Sequence, residues 1–172
     1  MRHLTRSGHL VKYILDANVL IEAKNRYYGF DICPGFWNWL DQQFAAGTIV
    51  STVAIRDELL EHGDDLTEWA KSRSDFFPVL DADSLPHLQT LAVWVRAQQY
   101  RAAAVTEFLS SADYQLIATA MGNGYTMVTH EVPSDSVKRV KIPEPCIAHG
   151  VPVISPFVML RRLGARFDLR TP

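Results

Sequence analysis

A run of three apolar residues stops at an aspartate near the start of the chain, and Asn18 follows that aspartate by two positions. Tyr13-Ile14-Leu15 is too short for a helix, a pattern typical of a buried strand that leads directly into a helix at Asp16. In open α/β sheets, ligands bind beyond the carboxyl ends of the strands. Asp16 and Asn18 would there offer a carboxylate and an amide oxygen to a hard cation. The alternative role for Asp16 is that of a helix N-cap.

Three further acidic residues occupy elements from which they can join Asp16. Glu58 lies in the helix predicted after the second strand, Asp113 begins a later helix, and Glu131 follows the strand predicted over residues 125–129. Each has a simpler explanation, as an exposed helix acid, a first-turn or capping-box acid, and a loop residue. A parallel sheet would nevertheless bring the strand ends together. Crowded carboxylates repel each other unless a cation neutralises them, so the set predicts a divalent metal site.

The hydrophobic pattern alternates between strands and helices along the chain. It predicts strands over residues 11–16, 48–51, 125–129 and 137–142, and a strand or an extended linker over 76–80. It predicts helices over residues 18–26, 35–46, 53–61, 64–71, 84–99, 112–121 and 157–163, with a helix or a lid over 101–109. This alternation indicates an α/β fold with a mainly parallel sheet that is covered on both faces.

Composition narrows the classes of protein. The chain has 172 residues, 48% of them hydrophobic, which predicts a single domain over residues 1–172, with a flexible leader over residues 1–10. Its 17 Lys and Arg against 19 Asp and Glu exclude a strong global basic field. Cys33 and Cys146 have no CxxC or metal-ligand spacing. We expect a cytoplasmic protein without a membrane span, because neither a long apolar run nor a signal-peptide core is present.

Local basic and aromatic residues are candidates for contacts with a nucleic acid. Phosphate contacts, which would make binding dependent on salt, are expected from a small set of basic residues, namely Arg56, Arg96, Arg101, Lys138 and Arg139. Tyr27, Tyr28 and Trp37 could stack on unpaired bases, or else pack in the core.

The acidic residues and their neighbours resemble the PIN-domain nucleases in order and spacing from about residue 12 to residue 160. The matching stretches are Asp16-Ala17-Asn18, Glu58-Leu59, Ser111-Ala112-Asp113-Tyr114-Gln115-Leu116-Ile117-Ala118-Thr119-Ala120 and Val128-Thr129-His130-Glu131. The run from Tyr13 to Leu40 with Phe36-Trp37, and later Lys141-Ile142-Pro143 and Cys146, resemble a bacterial PIN-like branch close to the VapC-type toxins.

The resemblance implies a three-layer α/β/α sandwich and a ribonuclease that depends on Mg²⁺ or Mn²⁺. Asp16 and Asp113 would be direct metal ligands, and Glu58 and Glu131 would complete the catalytic, metal-binding set from the outer shell. Asn18 would orient Asp16 or a bound water. Such an enzyme would be the toxin of a type II toxin–antitoxin pair, with RNA as its substrate, a cognate antitoxin as its partner and a second copy in a homodimer.

One departure from the family pattern leaves other interpretations open. The family more often has Thr-x-Asp where this chain has Thr129-His130-Glu131, so Glu131 would reach a metal through water, and a second metal site is in doubt. Thr129 would fix the strand end by hydrogen bonding, and His130 would be structural, a ligand or a proton carrier. The alternatives to a nuclease are a non-catalytic PIN-like interaction module and a haloacid-dehalogenase-type phosphotransferase. The phosphotransferase would require an acid at the position of Asn18.

Overall fold

Four short parallel strands form the centre of the fold in a computed structural model, which describes residues 11–169. They are β1 (Tyr13–Leu15), β2 (Ile49–Val50), β3 (Thr126–Val128) and β4 (Val153–Ile154), in the order β2-β1-β3-β4. β1 and β3 are central and buried at every position, which explains why both are apolar throughout or nearly so. Ile14 pairs with Val50 on one side and Met127 on the other. The leader expected over residues 1–10 lies outside the described residues.

Helices cover both faces of this sheet and complete a three-layer α/β/α fold, as predicted. Their bounds are α1 (Ala17–Glu22), α2 (Pro34–Ala45), α3 (Val53–Leu60), α4 (Asp65–Lys71), α5 (Leu85–Ala97), α6 (Ala102–Ser110), α7 (Ala112–Asn123), α8 (Pro143–Ala148) and α9 (Pro156–Arg162). A π-helical turn, Ala23–Tyr27, extends α1, and a 3₁₀ turn covers Ser74–Phe76. Within residues 11–169, no helix has the length and apolar character needed to cross a bilayer.

The strand predicted over residues 137–142 is wrong. The backbone of this segment bonds to side chains and a loop rather than to a neighbouring strand: Ile142 N–H donates to the Glu131 carboxylate at 2.8 Å, and Lys138 N–H donates to Ser136 Oγ at 3.3 Å. The helix α8 then begins at Pro143, because proline suits the first turn of a helix. This helix was not predicted.

The other differences are smaller. The fourth strand is β4, whose two residues follow Pro152 and are too few for a recognisable pattern. Residues 77–80 form no strand, which leaves the extended linker of the two alternatives. Residues 102–110 form a regular helix, α6.

An aromatic cluster fills the space beside α2. Trp37 is buried, donates its indole N–H to the Tyr28 carbonyl at 2.6 Å and stacks on Phe30 with ring centroids 3.9 Å apart. Tyr28 stacks on Phe36 at 4.3 Å, and Phe167 from the C-terminal segment contacts both rings. The suggestion that Trp37 stacks on bases is therefore wrong, and core packing is its role.

The close approach of α7 to the segment before α5 predicts a strong requirement for glycine at position 122. A Cβ there would lie 2.6 Å from the Asp83 carbonyl oxygen and 2.8 Å from Ser84 Cα, both of them backbone atoms. We expect Gly122→Ala to destabilise the fold by about 1–3 kcal/mol, because the backbone must move apart. Urea unfolding would measure this change.

Gly35→Ala is the matched control, because a Cβ at Gly35 in α2 meets no atom within 4 Å. Alanine there should leave stability unchanged or raise it by up to about 1 kcal/mol. Equal stability of the two variants would contradict the close contact at Gly122.

Candidate active site

Three of the four predicted acids line one pocket of about 170 Å³ at the carboxyl end of β1. Asp16 follows β1 directly, Glu58 projects from α3, and Asp113 lies in the first turn of α7. Asn18 and Arg139 line the same pocket. The fold thus brings together Asp16 and Asp113, which are 97 residues apart in the sequence.

Asp16 is almost completely buried and its two oxygens are held by different elements. Oδ1 accepts the Val19 N–H at 3.0 Å, which caps α1, and Oδ2 accepts the Thr129 hydroxyl at 2.5 Å from the end of β3. Thr129 Oγ1 in turn accepts the Glu131 N–H at 3.0 Å. Burial raises the pKa of Asp16 to about 6, although these hydrogen bonds favour the ionised form. Asp16 is thus an N-cap whose carboxylate also lines the pocket.

Asp113 has a carboxylate without a hydrogen bond or an ion pair among residues 11–169. Ser111, and not Asp113, caps α7, by accepting the Tyr114 N–H at 3.4 Å. Burial raises the pKa of Asp113 to about 7, and repulsion from Asp16 and the two glutamates adds to this increase. Asp113 is half-buried, and a partly desolvated carboxylate without a partner is costly when ionised, so Asp113 favours either a proton or a bound cation.

Glu58 and Glu107 are the more accessible acids of the pocket. Glu58 is half-buried on α3, and burial raises its pKa. Glu107 is exposed on α6, one turn before Ser111, which also lines the pocket. Glu107 was not among the residues predicted from the sequence. The helical spacing of Ala104, Glu107 and Ser111 could have indicated it, but only if α6 were known to face the site.

Glu131 lies outside the lining of the pocket and has partners of its own. Its carboxylate accepts the Ile142 N–H at 2.8 Å and pairs with the Arg139 guanidinium at 3.3 Å. It therefore holds the two ends of the segment 131–142 together. Its charge still contributes to the raised pKa of Asp113.

The five basic residues that were predicted to contact phosphates differ in their position relative to the pocket. Arg139 is the one of the five basic candidates that lines the pocket. Arg56 instead donates to the carbonyls of Ala70 and Lys71 at the end of α4. The remaining three basic candidates are exposed, namely Arg96, Arg101 and Lys138.

His130 lies between two rings rather than in the pocket. Its ring centroid is 5.7 Å from that of Tyr27 and 5.8 Å from that of Phe157. Burial lowers the pKa of His130. These contacts favour the structural role for His130.

A Mg²⁺ or Mn²⁺ ion fits the donors of this pocket only if it keeps several waters. Within the described part of the chain, no three His, Cys, Asp or Glu side chains converge closely enough to enclose a metal ion. Mg²⁺, however, usually takes one or two protein carboxylates and fills its other positions with water and substrate oxygens. The unpartnered Asp113 and the adjacent Asp16 supply two such carboxylates, and Glu58 lines the same polar pocket. The donor set therefore fits a hydrated ion rather than an enclosed one.

Comparison with known proteins gives a family and a fold. The sequence profile of a family described as a domain of unknown function, DUF4411, matches residues 13–167. No curated protein sequence matches the chain. The structure is similar to a chain of VapBC2 from Rickettsia felis, solved bound to a DNA fragment from their promoter. The TM-score is 0.52 at 14% identity, over 84% of this chain and 98% of that chain. The two chains share a VapC-like fold.

The raised pKa of Asp113 predicts how stability varies with pH in the absence of divalent cations. The folded state binds a proton at Asp113 more tightly than the unfolded chain does, so this group adds stability as the pH falls from about 8 towards 5. Asp113→Asn removes the group. We expect this variant to be more stable than the parent at pH 8, with a smaller difference at pH 5.

Thermal unfolding in EDTA at several pH values would measure the difference between the two proteins. Asp57→Asn is the control, because Asp57 is an exposed acid on α3 beside Glu58. A difference between Asp113→Asn and the parent that does not change with pH would show that Asp113 is ionised normally.

Proposed function

The chain belongs to the DUF4411 family, and we propose that it is a ribonuclease that hydrolyses RNA phosphodiester bonds with Mg²⁺ or Mn²⁺. The observation that carries the proposal is the pair of carboxylates in one polar pocket, the buried Asp16 and the half-buried Asp113, to neither of which a basic residue among residues 11–169 is bonded. Burying two unpaired like charges opposes folding. A cation at this pocket offsets that cost, and the VapC-like fold supports the same function.

Asp16 and Asp113 would hold the cation. When bound, Mg²⁺ or Mn²⁺ stabilises negative charge on the scissile phosphate and makes water a better nucleophile at neutral pH. Thr129 and the Val19 N–H hold the Asp16 carboxylate in one orientation, so little rearrangement is needed when the ion arrives.

The other pocket residues would move protons and orient the substrate. Glu58 is half-buried with a raised pKa, which suits a group that accepts the proton of the attacking water. Arg139 would contact a phosphate oxygen, because the residue lines the pocket and its side chain is 56% exposed. Glu131 would position Arg139 through their ion pair. Asn18 would orient the water or the Asp16 carboxylate.

We propose a toxin of a type II toxin–antitoxin pair as the biological setting. The R. felis chain of similar fold was solved as part of VapBC2, which supports a cognate antitoxin as a partner. A homodimer completes this proposal. The near-neutral charge of the chain, −2, is consistent with a surface that is shared with a partner protein rather than one that is basic throughout.

Removal of either pocket carboxylate, Asp16 or Asp113, should abolish metal-dependent cleavage. We expect Asp16→Asn and Asp113→Asn each to reduce the cleavage rate on the order of 100-fold or more, because each removes charge that holds the cation. The measurement is cleavage of a mixed cellular RNA pool by purified, antitoxin-free protein with Mg²⁺, with Mn²⁺ and with EDTA. Asp57→Asn, at an exposed acid one position from Glu58, should cleave like the parent.

Full activity of Asp16→Asn or Asp113→Asn would contradict the assignment of these ligands. Absence of cleavage by the folded parent protein with either metal would overturn the proposed function and favour a non-catalytic interaction module.

Glu131 should be less sensitive than Asp16 to loss of its charge. The side chain of Glu131→Gln keeps an oxygen that can accept the Ile142 N–H, so we expect the cleavage rate to fall by less than about tenfold. Glu131→Ala should cost more, because the segment 131–142 loses its attachment. Initial cleavage rates of the two variants would measure this order. A loss in Glu131→Gln as large as in Asp16→Asn would instead make Glu131 a direct ligand.

A further inference from the structure

A second cavity, of about 400 Å³, lies between the connection from α5 to α6 and the segment that precedes Lys138. Its polar lining consists of two glutamines and a tyrosine on one side and two serines and an aspartate on the other, namely Gln98, Gln99, Tyr100, Ser134, Asp135 and Ser136. Among residues 11–169, no lysine or arginine lines it. Such a lining is poorly suited to a phosphate and suits an uncharged planar group with donors and acceptors at its edge.

Several hydrogen-bonding groups of this cavity have capacity left. Ser134 Oγ accepts the Ser136 N–H at 3.1 Å, and Ser136 Oγ accepts the Lys138 N–H at 3.3 Å. Neither hydroxyl hydrogen is donated to an acceptor among residues 11–169, and the Gln99 amide and the Asp135 carboxylate also have no hydrogen bond there. The cavity therefore presents donors, acceptors and one carboxylate to a ligand.

Cations flank this cavity on the side of the acidic pocket. Arg101 follows Tyr100 in the chain, and its backbone N–H donates to the Val137 carbonyl at 2.9 Å, which joins the two walls. Lys138 and Arg139 follow Val137, and Arg139 lines the acidic pocket. The cavity, whose described lining has no cation, could hold a base, and the exposed cations next to it could contact the phosphates on either side of that base.

The two cavities are close enough for one strand to occupy both. Val137 lines one and Arg139 the other, so the Cα atoms of these two lining residues lie within about 8 Å of each other, since consecutive Cα atoms are about 3.8 Å apart. This distance corresponds to about two nucleotides in a stacked strand, where each adds roughly 3.4 Å. A strand with its phosphate at the acidic pocket can therefore place a nearby base in the larger cavity.

We propose that the cavity between Tyr100 and Asp135 binds one unpaired RNA base close to the scissile phosphate and sets the base preference of cleavage. This inference rests on the proposed ribonuclease function. Tyr100 supplies a ring against which a base can pack. The Asp135 carboxylate accepts hydrogen bonds only, so it favours a base with an exocyclic amino group, which adenine, cytosine and guanine have. Uracil is disfavoured because its one donor on that edge, N3–H, lies between two carbonyl oxygens that repel a carboxylate. Cleavage should therefore disfavour uridine at one position near the cut.

The test is cleavage of an RNA pool with a randomised unpaired segment, followed by sequencing of the cut ends. We expect the parent protein to disfavour uridine at one position. Asp135→Asn, whose amide can donate to the uracil oxygens, should reduce this discrimination by about threefold to tenfold, and Gln99→Ala should also weaken the base preference. The readout is a ratio between bases at one position, so it does not depend on the total amount of cleavage.

Two controls are exposed residues that line neither cavity. Gln89→Ala removes an exposed amide from α5, and Asp57→Asn removes an exposed carboxylate from α3, and both should keep the parent preference. Thermal unfolding of each variant shows whether it is folded. Should Asp135→Asn unfold early, Gln99→Ala decides the outcome.

The possible results are distinct. Cleavage without any base preference by the parent, or an unchanged preference in folded Asp135→Asn and Gln99→Ala, would overturn the inference and leave the ribonuclease function intact. Absence of metal-dependent cleavage by the parent would overturn the ribonuclease function, and the inference with it.

Discussion

The hydrogen bond from Thr129 to Asp16 joins the ends of the two central strands, and the arrangement of the site depends on it. Asp16 follows β1 and caps α1, whereas Thr129 follows β3, 113 residues later in the chain. The bond is buried, so water does not compete for it, and loss of either partner would leave an unsatisfied polar group. The same contact therefore joins the carboxyl ends of β1 and β3 and orients the Asp16 carboxylate towards the pocket.

The two acids of the pocket at the carboxyl end of β1 lower the stability of the fold and are also suited to bind a cation. Burial raises the pKa of Asp16 and of Asp113, and the two acids repel each other. Proteins often lose some stability where a functional site needs charged groups. Carboxyl groups with shifted pKa values in a cleft are typical of such sites. A divalent cation would relieve both the burial penalty and the repulsion, so metal binding and folding should be linked.

The irregular segment 131–142, in which a strand was predicted over residues 137–142, contributes to both cavities. Glu131 accepts from Ile142 at one end, and the Ser134 N–H donates to the Glu144 carboxylate in α8. Between these attachments the segment contributes serines and an aspartate to the larger cavity and Arg139 to the acidic pocket. An irregular backbone held at both ends by side chains can therefore present different chemistry to two adjacent cavities.

The sequence by itself determined the α/β class, the parallel central strands and the elements that carry Asp16, Glu58 and Asp113, because these follow from local hydrophobic periodicity and from the position of each acid in its element. It could not establish that Glu131 bonds to Ile142, that Glu107 reaches the pocket from α6, or that Trp37 packs on Phe30. It also predicted a strand where side chains take the backbone hydrogen bonds, and it missed α8 and β4. These features depend on contacts between residues from different elements, and only the tertiary packing decides which of the competing partners a backbone or side-chain group meets.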